Sequence, residues 1–184
     1  DNAIIAANVA RLKAEHGDNL PVSLHPVIRS HEACYKSTSW AVDMARKYGT
    51  RLHVMHISTE NELALFEDKP LAEKLITAET CPQYLVFDAS DFETLGARIK
   101  CNPAIKNEAD KKALLKAVSS NKIDVIGTDH APHLLSQKEG NALTAVSGMP
   151  GIQYSLPLML SLAKQGVLSV EQVVEKMCHN PARL

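Results

Sequence analysis

The fold of this chain is decided by residues 123–133, which read IDVIGTDHAPH. The apolar run from Ile123 to Thr128 has the length of a buried strand, and it ends abruptly in Asp129, His130 and His133. An acid and two imidazoles at a strand end are costly to hold without a metal, a substrate or hydrogen-bond partners. In parallel barrels that end of the strand is the catalytic face. The pattern therefore indicates a site, with a helix-capping Asp beside incidental histidines as the alternative.

Two more strands are predicted upstream, over residues 51–57 and 74–80. Side chains alternate along a strand, so His53 and His56 are expected to point to opposite faces. His56 lies nearer the C-terminal end and is the better candidate for a metal ligand, since imidazole is the commonest one. A hydrogen-bonded core histidine is the alternative. Glu79 ends the second strand, either near a ligand or in a salt bridge.

Helical spacing of apolar residues fills the intervals between these strands. Helices are predicted over residues 3–16, 31–48, 60–66, 108–120, 151–165 and 169–179. The helix at 31–48 should carry Trp40 and Met44 on the same side as Ala33 and Ala45, and Ser58 or Thr59 should cap the helix at 60–66. Alternating strands and helices indicate an α/β fold with a parallel sheet. Three or four strands fit a small open domain or part of a (β/α)8 barrel, which usually takes about 250 residues.

Composition excludes several classes of function. The formal net charge is -1, without the basic excess that nucleic acid or an anionic membrane favours. No apolar run approaches the roughly 18 residues of a membrane span, and no signal peptide is visible, so a cytoplasmic location is expected. The four cysteines form no CxxC pair, which argues for reduced thiols rather than a disulfide framework or a zinc knuckle. The chain begins with Asp rather than Met, which suggests a start inside a longer protein.

Two irregular segments complete the pattern. Residues 100–106 read KCNPAIK, and Asn102 offers both a donor and an acceptor to a polar ligand, although alone it reads as a turn. Residues 134–150 are loop-like and contain several Gly, Ser and Pro residues.

Over nearly its whole length the chain resembles the dihydroorotases of the amidohydrolase superfamily. LHVMHIST resembles their sixth-strand motif, TAETCPQYL the seventh, and IGTDHAPH the eighth, while IKCNPAIK resembles a segment whose asparagine contacts the pyrimidine ring. The resemblance implies a partial (β/α)8 TIM barrel. Residues 1–184 would be the C-terminal part of that single barrel domain, with residues 134–150 as its active-site loop.

The same resemblance implies roles for four residues. His56 and Asp129 would bind metal, zinc as one or two ions, and Asp129 would also act as the general base. Asn102 and His133 would bind the substrate. The implied reaction is the reversible hydrolysis of the cyclic amide of dihydroorotate to N-carbamoyl-aspartate, a step of pyrimidine synthesis. In it a metal lowers the pKa of its bound water, and Asp129 moves a proton from that water to the leaving nitrogen.

The chain departs from the family pattern upstream. The first-strand HxH motif, the bridging lysine, the fifth-strand histidine and the arginine for the substrate carboxylate are absent. His25 and Arg29 are the only upstream candidates, and a structural role is expected for both. A catalytic zinc keeps about three protein ligands, so the chain alone should bind metal weakly and have little activity. Its exposed sheet edge should pair with another copy or with a missing N-terminal half.

Two other functions stay open. A dihydropyrimidinase or an allantoinase shares the ETCPQYL segment, but these enzymes differ at Asn102-Pro103 and lack the TDHAPH form. A non-catalytic module that serves as a scaffold, for instance for aspartate transcarbamoylase, belongs to a different class. Retention of His56, Asn102 and Asp129 argues against that scaffold role.

Overall fold

A three-stranded parallel sheet lies at the centre of the fold in the computed structural model, which describes all residues from Asp1 to Leu184. The strands are β1 (Leu52–Val54), β2 (Ile76–Thr80) and β3 (Val125–Ile126), ordered β1-β2-β3. Leu52 lies opposite Ile76 in the first pair, and Glu79 lies opposite Val125 in the second. All C-terminal ends therefore meet at one edge, which confirms the predicted α/β class and parallel sheet.

Helices fill the connections between the strands. They are α1 (Asn2–His16), α2 (His25–Ile28), α3 (His31–Tyr48), α4 (Pro82–Val86), α5 (Phe92–Leu95), α6 (Glu108–Ser119), α7 (Ile152–Lys164), α8 (Val170–Val174) and α9 (Asn180–Arg183). Ser30 caps the N-terminus of α3, and Gly49 ends it in a left-handed conformation with φ of 63°. The long predicted helices are confirmed, whereas α2, α4 and α5 are too short for a periodic pattern to reveal. None of the helices combines the length and the apolar character that a membrane crossing requires.

The strands are shorter than the sequence predicted, and the cause is local. The backbone takes φ of 45° at both His56 and Asp129, so the extended conformation stops before each of them. Beyond β1, pairing continues only through the hydrogen bond from Ile57 N to Glu79 O, at 2.8 Å.

The main apolar core lies between the sheet and the helices. Ala78 and Ile126 from the sheet join it, together with Val42 of α3, Leu114 of α6 and Met159 of α7. A smaller cluster joins Leu12, Leu20, Ile28 and Ala142. Because side chains alternate along β2, Thr77 and Glu79 lie on the face opposite to Ala78. The sheet thus has an apolar face under the helices and a polar face on its other side.

Two details of the predicted helices are wrong. On α3 the buried side consists of Ala33, Thr38, Val42 and Ala45, whereas Trp40 is 68% exposed and Met44 is 36% exposed. The predicted helix at 60–66 is a 3-10 helix, Asn61–Leu65, without a side-chain cap. The Thr59 hydroxyl donates to the buried carboxylate of Glu62, at 2.6 Å, and accepts from no backbone amide of the 3-10 helix.

Candidate active site

His56 and Asp129 stand out by their backbone conformation. They are the only residues other than glycine with positive φ, and each follows an outer strand of the sheet at its C-terminal end. For a side chain with a Cβ, this conformation costs about 1–2 kcal/mol. Such strain persists where the surrounding structure enforces it, and it concentrates at functional sites. The two predicted metal ligands thus share an unusual local geometry at one edge of the sheet.

The side chains of His56, Asn102 and Asp129 are also without partners. None of the hydrogen bonds and ion pairs of the chain involves them, and Asn102 is exposed while the other two are half-buried. A polar group that stays unpaired at a structured edge remains available for a ligand, because no internal bond must break first.

Two other histidines at this edge are committed to internal bonds. His53 Nε2 lies 3.3 Å from Glu79 Oε2, and its Nδ1 lies 2.8 Å from Thr77 Oγ1. His130 Nδ1 accepts hydrogen bonds from the backbone amides of Gly151 and Ile152, at 3.0 and 3.2 Å. His130 therefore caps the start of α7. The capping alternative applies to this histidine and not to Asp129.

His133 belongs to the loop that follows β3. Its Nε2 donates to the carbonyl of Ser147, at 3.1 Å. Gly148, with φ of 136°, lies so close to the imidazole that a Cβ there would come within 2.7 Å of Nε2. The approach therefore requires glycine at position 148. Lys138, which is almost fully buried in the same loop, donates to three carbonyls, and burial lowers its pKa to about 8.

Three of the four predicted residues line two separate cavities, and Asp129 lines neither of them. His56, Asn102 and Arg29 line one cavity of about 430 Å³, on the side of β1. His133 lines a second, of about 420 Å³, together with Lys138 and apolar side chains. The structure thus brings Asn102 and His56 to a common cavity and places His133 in a different one.

Asp129 lies close to the segment that carries Asn102. Burial raises the pKa of the Cys101 thiol, and the negative charge of Asp129 raises it further. The same carboxylate raises the pKa of Cys81, after burial and Glu79. Strand β2 separates β1 from β3, so the backbones before His56 and Asp129 lie about 10 Å apart.

The structure gives His25 a structural role, as expected. It is 2% exposed, and its Nε2 donates to the carbonyl of Cys101, at 3.0 Å. Burial lowers its pKa to about 4, so the ring is neutral near pH 7. Arg29 differs from the expectation of a structural residue in one respect: its guanidinium makes no hydrogen bond and borders the cavity of His56 and Asn102.

The chain supplies too few donor side chains for a complete metal site. Nowhere in Asp1–Leu184 do three His, Cys, Asp or Glu side chains come together in a way that could hold a metal. His56 and Asp129 supply two donors, while the His53 imidazole and the Glu79 carboxylate face each other. Since a catalytic zinc has about three protein ligands, these residues fit only part of such a site.

Sequence reasoning missed the residues that organise this edge. Lys138 reads as a solvated loop charge, and Tyr84 reads as an aromatic after a strand, yet both are buried and donate to backbone carbonyls. No local signal distinguishes them. The segments that supply their acceptors are irregular, and only the tertiary structure reveals which carbonyls they reach.

Known proteins with a similar sequence include dihydroorotases and an allantoinase. No protein-family model matches the chain. A dihydroorotase from Acetivibrio thermocellus is 38% identical over 137 residues, which is 72% of this chain and 32% of that protein. An allantoinase from Bacillus velezensis is 32% identical over 175 residues, 94% of this chain and 38% of that protein. The chain therefore spans about a third of the length of these curated relatives.

Solved structures agree with the sequence relatives. The L-hydantoinase (dihydropyrimidinase) from Arthrobacter aurescens superposes with a TM-score of 0.88 at 28% identity. The superposition covers 99% of this chain and 41% of that enzyme. Nearly every element described above thus has a counterpart in the L-hydantoinase structure.

Proposed function

Because the chain belongs to the cyclic amidohydrolases, the hydrolases that include dihydroorotases, allantoinases and hydantoinases, we propose that it is the C-terminal part of a dihydroorotase. The whole enzyme would hydrolyse the cyclic amide of dihydroorotate reversibly to N-carbamoyl-aspartate, in the pathway to pyrimidine nucleotides. One observation carries the proposal. The carboxylate of Asp129, the imidazole of His56 and the amide of Asn102 stand unpaired at the same edge of a parallel sheet.

The motifs around that edge favour dihydroorotate among the cyclic amides. The resemblance to dihydroorotases separates the chain from hydantoinase-type sequences at two motifs, Asn102-Pro103 and the TDHAPH run at 128–133. Asn102 can both donate to and accept from a ring amide, which suits a pyrimidine edge. His133, directly before the loop at residues 134–150, would contact the substrate, and we propose that this loop covers the site.

We propose Asp129 as the general base. A side chain in this role must reach the proton that it moves and must not be tied up in an ion pair. The Asp129 carboxylate has no hydrogen-bond donor within the chain and is half-buried. We therefore assign it the transfer of a proton to the leaving amide nitrogen, while Asn102 and His133 orient the ring.

A divalent metal, which we propose is zinc, would activate water and polarise the amide carbonyl in the complete enzyme. His56 and Asp129 would be two of its ligands. The chain does not bring a third donor to them, so no step of the reaction is assigned to a metal held by these residues alone. The remaining ligands would come from the part of the relatives' length that the chain does not span.

Two exposed apolar stripes support a partial barrel. On α3, before edge strand β1, Trp40 and Tyr48 are 68% and 64% exposed. On α7, after edge strand β3, Ile152 and Leu156 are 65% and 51% exposed. Exposed apolar patches of this kind mark surfaces that other protein covers. The rest of a (β/α)8 barrel, or another copy of the chain, would bury both stripes.

The test is turnover by the complete polypeptide that carries this chain, purified with zinc. We expect hydrolysis of dihydroorotate at least tenfold faster, in kcat/KM, than that of dihydrouracil, hydantoin or allantoin. Preference for another ring would overturn the substrate assignment. The 184-residue chain alone should show little turnover with or without zinc and should elute as a multimer; family-like rates from a stable monomer would contradict the partial-barrel proposal.

A hydantoinase or dihydropyrimidinase is the second candidate. The superposition on an L-hydantoinase over 99% of the chain favours it. The same comparison of substrates decides between the two, because hydantoin and dihydrouracil lack the carboxylate of dihydroorotate.

A further inference from the structure

Asn102 is exposed, whereas residues close to it on both sides are buried. Residues 100–104 lie between a 3-10 turn, Gly96–Ile99, and the start of α6, and they form no helix or strand. Lys100, Cys101 and Ala104 are nonetheless at most 4% exposed. Buried irregular backbone must find hydrogen-bond partners outside the regular ladders.

Three side chains from three different elements supply those partners. Lys138 Nζ, from the loop after β3, donates to Lys100 O at 2.9 Å. His25 Nε2, from α2, donates to Cys101 O at 3.0 Å, and Tyr84 Oη, from α4, donates to Pro103 O at 2.9 Å. We call His25, Tyr84 and Lys138 the carbonyl clamp. It holds the carbonyls on both sides of Asn102 and leaves the Asn102 side chain free.

Lys138 also connects this segment to the loop of His133. Its ammonium donates to Val146 O at 2.9 Å and to Gly148 O at 2.8 Å. Gly148 N in turn donates to Lys100 O, at 2.9 Å. The stretch next to Gly148 includes Ser147, whose carbonyl holds the His133 imidazole. The buried ammonium of Lys138 therefore connects the segment that contains Asn102 to the loop segment whose carbonyl holds His133.

We propose that the carbonyl clamp positions Asn102 and His133 relative to each other and thereby sets the affinity for the cyclic substrate. The clamp residues are positioning residues, because none of them is placed against the reacting atoms. The inference rests on the proposed function for the identity of the substrate. The geometry of the clamp does not depend on the proposed function, because it is a property of the chain itself.

Tyr84→Phe and Lys138→Met test the proposal. The first variant removes one hydroxyl and little else, and the second removes the ammonium that joins the two segments. The matched control is Lys176→Met. Lys176 is also buried, and its ammonium donates to Ser120 O and Ile123 O at the opposite end of the sheet. It should lose as much stability as Lys138→Met without touching the site.

The first measurement is the side-chain amide NMR signal of Asn102 in the 184-residue chain, assigned with Asn102→Asp. We expect this signal to shift or broaden in Tyr84→Phe and Lys138→Met but not in Lys176→Met. The second is steady-state kinetics of the complete polypeptide. KM for dihydroorotate should rise about three- to tenfold in both clamp variants with kcat changed less than twofold, and both constants should stay constant in the control.

Each outcome has a definite meaning. An unchanged Asn102 signal in both clamp variants overturns the proposal, whatever the enzyme does. Changed signals with a KM equal to that of Lys176→Met overturn the link to substrate affinity. Changed signals in a protein that does not turn over dihydroorotate overturn the proposed function and leave the positioning role supported.

Discussion

The two ends of the sheet differ in whether their polar groups have hydrogen-bond partners. At the N-terminal end, the Asp124 carboxylate accepts from Lys74 Nζ at 2.7 Å and from Ala78 N at 2.9 Å. Asn180 Nδ2 donates to the Asp124 carbonyl, at 2.9 Å. At the C-terminal end, Asp129 and His56 have no partner and a strained backbone. In parallel α/β enzymes the first end serves stability and the second serves chemistry.

Asp129→Asn should give the largest effect at the C-terminal end. An amide cannot act as a base, and the loss of such a group typically costs 10²–10⁴-fold in rate. We expect kcat/KM of the complete enzyme for dihydroorotate to fall by about that factor, while the free energy of unfolding changes by less than about 0.5 kcal/mol. Asp43→Asn, on the exposed side of α3, is the control and should leave both constant. Retention of more than a tenth of the activity would exclude Asp129 as the base.

Asp124→Ala should give the largest loss of stability. It leaves the Lys74 ammonium, whose side chain is fully buried, without its anion. Breaking a buried pair in this way costs about 3–5 kcal/mol. Urea unfolding of the chain measures the loss. Lys112→Ala breaks the exposed pair with Glu108 and should cost at most about 0.5 kcal/mol. A loss below 1 kcal/mol for Asp124→Ala would contradict the assignment of the N-terminal end to stability.

His25 should make stability depend on pH. Burial lowers its pKa in the folded chain from 6.5 to about 4. Between these values the unfolded chain binds the proton more readily, so stability falls as the pH drops below 6.5 and stops falling below about 4. Between pH 7 and pH 5 the loss is about 2 kcal/mol. Urea unfolding of the wild type and of His25→Gln at each pH isolates the contribution of His25 to the free energy of unfolding. Parallel pH profiles of this free energy for the two proteins would refute the prediction.

The smallest effect tests the strain at the C-terminal end. At His56, with φ of 45°, Gly should be more stable than Ala by about 1 kcal/mol. At exposed Lys112 in α6 the order should reverse by a similar amount, because Gly disfavours helix. Urea unfolding of the four variants measures both differences. Ala more stable than Gly at both positions would show that His56 carries no strain.

Much of the fold could be predicted because its signals are local. The spacing of apolar residues predicted α1, α3, α6 and α7, and the apolar run before Asp129 predicted β3. Where prediction failed, a longer-range contact decided. Trp40 follows helical spacing, but the sheet lies against the Val42 side of α3. Thr59 is a good cap in isolation, but in the structure its hydroxyl donates to the buried Glu62 carboxylate and no side chain caps the 3-10 helix.

The candidate site, like the fold, could be predicted only in part from the sequence. The motif residues His56, Asn102, Asp129 and His133 could be named from the sequence, and their roles stay predictions. His56 lies outside the alternation of side chains along β1, because β1 ends at Val54, two residues before it.

By itself, the sequence determined the class of fold, the edge where the polar residues gather and the four candidate site residues. These depend on periodicity and on residue type, which a short stretch of chain contains. Only the tertiary structure decided which histidines are bonded, which lysine is buried and what holds Asn102. Those bonds join residues as distant as His25 and Cys101, which are 76 positions apart, and no local pattern records which donor reaches which acceptor.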